Sequence, residues 1–123
     1  MSRILTKDGS VVVSRVVYAE TLSARLRGLL GRDSLAEDTG LLIRPCRSIH
    51  MWFMRFPIDA AFLDRDLRVL KIARNLRPWQ LAFAPRKTHC VLETAAGTLS
   101  NLNNGEQLQP IFAEGESRFN HQP

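Results

Sequence analysis

Short stretches of apolar and alternating residues, separated by turn-forming residues, run through most of this chain. The first, "RILTKDGSVVVSRVVY", is two β-rich runs around Asp8-Gly9, a dipeptide that takes the positive φ angles of a tight turn, and it predicts a hairpin. The period then changes. In "TLSARLRGLLGR", Leu22, Leu26 and Leu29 fall at i, i+4 and i+7, with Thr21 placed to cap and Gly31 to terminate, which predicts a short helix. "DTGLLIRP" reads as a brief strand that stops at Pro45, a residue without a ladder donor.

The most apolar stretch is "SIHMWFMRFPID", 48–59. Read as a strand, it places His50, Trp52, Met54 and Phe56 on one face and Ile49, Met51, Phe53 and Arg55 on the other. Both faces are mostly apolar, the pattern of a strand covered on two sides. Pro57 has no N–H, so the prediction is two strand segments hinged at Phe56-Pro57.

Further along, "AAFLDRDLRVLKIA" predicts a second hairpin turning at 64–67, and "RNLRPWQLAFAPRKT" a long, proline-punctuated loop. "HCVLE" predicts a strand. "AAGTLSNLNNGE" predicts a short helix with Leu99 and Leu102 on one side, closed by Asn104-Gly105. "QLQPIFA" is the last expected strand and 114–123 a polar tail. Together these elements predict a mainly β fold: a small sandwich of jelly-roll kind or an irregular barrel, with two short helices. At 123 residues, 1–123 is one domain with an ordered core over about 3–113.

Composition narrows the function classes. Hydrophobic residues at 45% and charged residues at 24% argue against a disordered chain. The net charge of +5 raises the question of nucleic acid, but the basic residues are interleaved with acids, as in "FLDRDLRVLK". No like-charge block or nucleic-acid motif accompanies them, so a solvated basic surface is the expectation and nucleic acid is not the expected partner. No segment approaches the roughly 20 apolar residues of a membrane span. "MSRILTKDGS" has no apolar run of signal-peptide length behind it, so the expected location is cytoplasmic, with Cys46 and Cys90 as thiols.

Several of these stretches, "RGLLGR", "IHMWFMRFPIDAAFLDRD", "PW" and "VLETAAG…NGE", come in an order that resembles the bacterial and archaeal domain of unknown function 192 family, over roughly 18–112. The resemblance implies a small β sandwich or jelly roll and implies no particular activity. It is closest to members without a signal peptide. The family-like positions are Arg27, Gly28 and Leu29, then Met54, Pro57, Ile58 and Asp59, then Leu92, Glu93, Gly97 and Gly105. The chain departs at Leu67, where many relatives have Gly in the hairpin turn, and at Phe53, where exported members often have Trp. A leucine held at positive φ costs about 1–2 kcal/mol.

Candidate chemistry gathers around the proline hinge. Cys46, His50, His89 and Cys90 are the soft-metal ligand types present, but Cys46 and His50 stand roughly 13 Å apart along an extended chain at about 3.3 Å per residue. His89 and Cys90, as neighbours on a strand, point to opposite faces. No metal or other cofactor is therefore expected. Arg55 and Asp59 flank the bend, and Glu93 follows an apolar strand. With Arg27 and His50 they form the candidate ligand-binding set: Arg27, His50, Arg55, Asp59 and Glu93.

Three readings follow. The first is a non-catalytic β domain that holds a small polar or anionic ligand on a concave face near His50, Arg55, Asp59 and Glu93. The second is a hydrolytic enzyme using the same two acids. The third is a protein-interaction module presenting the loop "RPWQLAFAPR". Structural roles weigh against the first two: Asp59 can cap backbone donors at the bend, and Glu93 can pair with Arg27 or Arg55.

Overall fold

The computed structural model describes residues 3–6, 8–19, 39–44, 48–50, 56–77 and 80–111. Ten strands are present: β1 (Arg3–Thr6), β2 (Val11–Val13), β3 (Arg15–Ala19), β4 (Thr39–Ile43), β5 (Ser48–His50), β6 (Ile58–Leu63), β7 (Val69–Leu76), β8 (Leu81–Phe83), β9 (Cys90–Ala95) and β10 (Leu108–Ile111). They form a five-stranded sheet in the order β3-β4-β9-β6-β7, a three-stranded sheet β10-β1-β2, and a two-stranded pair β5-β8. The fold is mainly β, and its sheets are open-edged rather than closed into a barrel.

The five-stranded sheet is the central layer because its middle strands are apolar on both faces. β6 and β9 are buried at almost every position. Leu41, Ile43, Ile58, Ala60, Phe62 and Val91 project into one core, where Phe56, Leu76 and Ala82 pack. Leu42, Ala61, Leu63 and Leu92 project into a second core, closed by Ile4 and Val13 of the three-stranded sheet and by Leu99, Leu102 and Leu108. This two-sided coverage explains the near-continuous hydrophobic runs in these strands. Gly40 shows how closely the layers approach: a Cβ there would lie 2.8 Å from Leu92 Cδ1 and 3.3 Å from the Val13 methyls.

Both predicted hairpins are present. β1 and β2 pair across the turn at Asp8-Gly9, where Gly9 has φ +94°. β6 and β7 pair across a turn in which Asp64 Oδ1 accepts the N–H groups of Asp66 and Arg68. Leu67 sits in that turn at φ +67°, so the backbone conformation that glycine would favour is kept with a leucine in it. The long run around Pro57 holds two strands that belong to different sheets: β5 pairs with β8, and β6 begins just beyond the proline in the central sheet, while 51–55 lie outside the described residues.

Two expectations are corrected. The "AAGTLSNLNNGE" helix is instead a series of turns, with Thr98, Ser100 and Leu102 N–H groups donating three residues back to Ala95, Gly97 and Leu99. Among the described residues there is no helix. The proline-rich loop contains the strand β8. β3 pairs with β4 in parallel, which requires a crossover. That crossover is the stretch carrying the predicted helix of "TLSARLRGLLGR", which lies outside the described residues.

Candidate functional site

Asp59 is 1% exposed and its carboxylate is given over to backbone donors. Oδ1 accepts the N–H of Asn75 at 2.9 Å, and Oδ2 accepts those of Gly97 at 2.9 Å and Leu99 at 3.1 Å. The local backbone explains the first bond. Between Ile58↔Leu76 and Ala60↔Ala73 the register advances two residues on β6 and three on β7, a bulge at Arg74-Asn75 with Asn75 at φ +54°. The bulge takes the Asn75 N–H out of the ladder, and the Asp59 carboxylate satisfies it.

The same bulge aims Arg74 at the turn that Asp59 holds. Arg74 Nη2 donates to the carbonyl of Leu102 and, at 3.4 Å, to that of Leu99. An acid on β6 thus takes the N–H groups of the 96–102 turn while a base on the adjacent strand takes its carbonyls. Leu99 and Leu102 are pinned between them and fill the second core. Arg74 was not among the residues expected from sequence; it opens the stretch read as a loop, where a basic side chain gave no sign of a backbone clamp.

Glu93 is fully buried, but it does not join Asp59. Asp59 pairs with Thr94, whereas Glu93 pairs with Ala60 and Leu41, which point into the first core. Paired residues share a face and successive residues alternate, so the two acids leave the central sheet on opposite sides. The hollow expected to hold both carboxylates is therefore not formed by them. Of the other expected site residues, Arg27 and Arg55 lie outside the described residues, and His50 is placed as the last residue of β5 opposite Leu81.

What the clamped turn does form is one wall of a cleft of ≈ 260 Å³. Thr98, Asn101 and Leu102 line it from that turn, and Thr6, Asp8 and Ser10 line it from the β1–β2 hairpin. Val11, Val12 and Glu106 complete it. The hairpin side is preset by its own hydrogen bonds: the Thr6 hydroxyl donates to Asp8 Oδ1, and the Ser10 N–H donates to Asp8 Oδ1 at 3.0 Å and to Thr6 Oγ1 at 3.2 Å. The bonds from Thr6 and then Ser10 hold the Asp8 carboxyl below the usual aspartate range, so it is ionised at neutral pH. Glu106 is fixed by the Asn103 N–H, which donates to Oε1 at 2.8 Å.

At the other end of the central sheet, burial and then the Arg65 and Arg44 charges push the His89 imidazole below its ordinary value of 6.5. Cys90 beside it is a buried thiol of the second core. Among the described residues no three His, Cys, Asp or Glu side chains converge as metal ligands, and no helix is long and apolar enough to cross a membrane.

Residues 3–110 match the sequence profile of the DUF192 family, described as "Uncharacterized ACR". A UPF0127 protein of Thermococcus sibiricus (strain DSM 12597 / MM 739) is 32% identical over 99 residues, which cover 77% of this chain and 64% of that protein. The match thus spans less than two thirds of that relative's length. A crystal structure of a protein of unknown function from Novosphingobium aromaticivorans DSM 12444 superposes with a TM-score of 0.73 at 24% identity, over 88% of this chain and 82% of that one. Another, from Sinorhizobium meliloti 1021 and described as a proposed transcription regulator, gives 0.71 at 28% identity, over 89% of this chain and 91% of that one.

Proposed function

Since this chain belongs to the DUF192 family, whose description gives no activity, we propose its function from the cleft itself: a non-catalytic β domain that binds a small polar ligand. The observation that supports this is the construction of the cleft wall. A buried carboxylate with three backbone donors holds a turn whose outward residues, Thr98 and Asn101, face the hydroxyl-rich hairpin of Thr6 and Ser10. Polar groups held beside the apolar surface of Val11 and Val12 are the usual make-up of a small-molecule site. At ≈ 260 Å³ the cleft lies just under the roughly 300–1,000 Å³ of typical ligand pockets, which suits a compact ligand.

In this reading Asp59 is a positioning residue, not a ligand contact, and the domain works in the cytoplasm. The hydrolytic alternative needs two acids at one reaction centre, and the register of β6 and β9 gives it no support. The interaction-module reading has one observation in its favour: Phe83, in the predicted interaction loop, is 65% exposed.

The test is an amide-resolved NMR screen of a polar metabolite library, with Asn101→Ala as the control because Asn101 is exposed and its loss leaves the clamp intact. A ligand that shifts the amides of Ser10, Thr98 and Asn101, and binds more weakly to the variant, supports the proposal. Ligands that map only to other surfaces, or none at all, overturn it.

A further inference from the structure

Asn104-Gly105 is the one Asn-Gly pair in the chain, and both residues are exposed. Such a pair carries its own chemistry. The backbone nitrogen of the residue after an asparagine can attack the side-chain Cγ, and glycine, with no Cβ, hinders the approach least. Here the pair forms the centre of a turn closed by the Glu106 N–H, which donates to the Asn103 carbonyl at 3.2 Å. Gly105 has φ +88° and Asn104 is not among the residues of positive φ, the pattern of a type II turn.

The surroundings hold the attacking nitrogen away from its target. The Gly105 N–H donates to the Val69 carbonyl at 2.7 Å, and Arg68 Nη1 donates to the Gly105 carbonyl at 2.9 Å. Both backbone groups of Gly105 are thus tied to 68–69. A type II turn also gives its second residue a ψ of about +120°. That ψ turns the Gly105 nitrogen away from the Asn104 side chain, and ring closure needs ψ of the opposite sign.

We propose that Asn104 is a site of spontaneous deamidation, suppressed in the folded chain and opened when the 103–106 turn releases its ties to 68–69. The Gly105 nitrogen bonds to Asn104 Cγ, the Cγ–Nδ2 bond breaks, and the Gly105 proton leaves with the side-chain nitrogen as ammonia. Water then opens the cyclic imide at either carbonyl, which leaves aspartate or isoaspartate at 104. The isoaspartate adds a methylene to the main chain between Asn103 and Glu106, the two residues whose mutual bonds close the turn and fix Glu106 at the cleft. An opening of the turn is thereby recorded in the chain. The chemistry is independent of what the cleft binds.

The test incubates the whole chain at mildly alkaline pH, folded and in denaturing urea, and follows deamidation at Asn104 by peptide mass spectrometry. The folded chain should react at least about tenfold more slowly than the unfolded one, and its Gly105 amide should be protected from hydrogen exchange, because one opening gates both. Arg68→Met, which removes the tie to the Gly105 carbonyl and keeps the apolar stem, should speed the reaction in the folded chain. Equal rates in the folded and unfolded parent, or an unprotected Gly105 amide, would overturn the proposal whatever the variant does. A folded Arg68→Met chain that reacts no faster than the parent would overturn it too, by showing that the ties to 68–69 do not gate the site.

Discussion

Asp59 and Glu93 stand on neighbouring rungs of the β6–β9 ladder and leave the sheet by opposite faces. Asp59 opens onto the face covered by the three-stranded sheet and the clamped turn, Glu93 onto the face covered by Phe56 and Ala82. The two most suggestive acids in the sequence therefore serve separate cores. The role of Asp59 is defined by its partners: it supplies the acceptors for three N–H groups, that of Leu99 buried and those of Asn75 and Gly97 part-buried.

That role sets a stability expectation. Hydrogen bonds to a charged group contribute about 1.5–3 kcal/mol each, and a buried donor left unsatisfied costs the chain further. Asp59→Asn removes the charge and turns an amide NH2 toward at least one of the three donors. We expect a loss of about 2–4 kcal/mol in unfolding free energy by urea denaturation; a loss within experimental error of zero would mean the carboxylate is not a scaffold.

His89 gives the pH dependence. Its imidazole is pushed down by burial and by Arg65 and Arg44, so the folded chain holds the neutral form more strongly than the unfolded chain does. Between the folded value and the ordinary 6.5, the unfolded state binds more protons, and stability rises with pH. The contribution is present above 6.5 and is lost as the pH falls through 6.5 toward the depressed value. Urea midpoints measured from about pH 7.5 to about pH 5 should therefore fall at acid pH, and His89→Gln should flatten that part of the profile.

Leu67 holds φ +67° while its side chain packs against the second core. Leucine in the left-handed region costs about 1–2 kcal/mol, and glycine there relieves that cost while giving up the packing. Valine keeps apolar surface but is β-branched and worse at positive φ. Leu67→Gly should therefore stay within about 1 kcal/mol of the parent. Leu67→Val, the milder change by hydrophobicity, should be the less stable of the two. Denaturation midpoints in the reverse order would show that packing, not backbone conformation, governs the position.

Gly40 is required by the close approach of the layers. Its missing Cβ leaves room for Leu92 and Val13, so Gly40→Ala overpacks a dense core and should destabilise by about 1–3 kcal/mol. Val13→Ala removes both methyl carbons that would stand 3.3 Å from that Cβ. The double variant should lose less than the sum of the singles; simple additivity would mean the layers separate instead of clashing.

Much of this was legible in the sequence because the signals were local. Asp8-Gly9 and Asp64–Leu67 announce their turns, and "HCVLE" announces the strand that becomes β9; the stretch expected to be covered on both faces was 48–56, of which 51–55 lie outside the described residues. The bend at Pro57 was legible because proline removes a donor. The partnership of side chains was not. Periodicity places Asp59 and Glu93 on strands, but only the β6–β9 register tells which faces they share, and a shift of one residue reverses the answer.

The 96–102 turn was misread for a related reason. Leu99 and Leu102 have helical spacing, yet three-residue turns bury the same pair once Asp59 and Arg74 hold the backbone. The cleft itself is split between "TKDGS" and "TLSNLNNGE", stretches almost a chain length apart, whose hydroxyls and acids read separately as ordinary turn residues.

The Asp59 clamp holds the cleft wall in place, and hydrogen exchange at single amides tests it most directly. The Asn75, Gly97 and Leu99 amides should be protected in the parent chain. In Asp59→Asn they should lose at least about tenfold more protection than amides of β9, while Glu93→Gln should leave their share unchanged. Equal losses at all amides in Asp59→Asn, or a selective loss at Gly97 and Leu99 in Glu93→Gln, would contradict it.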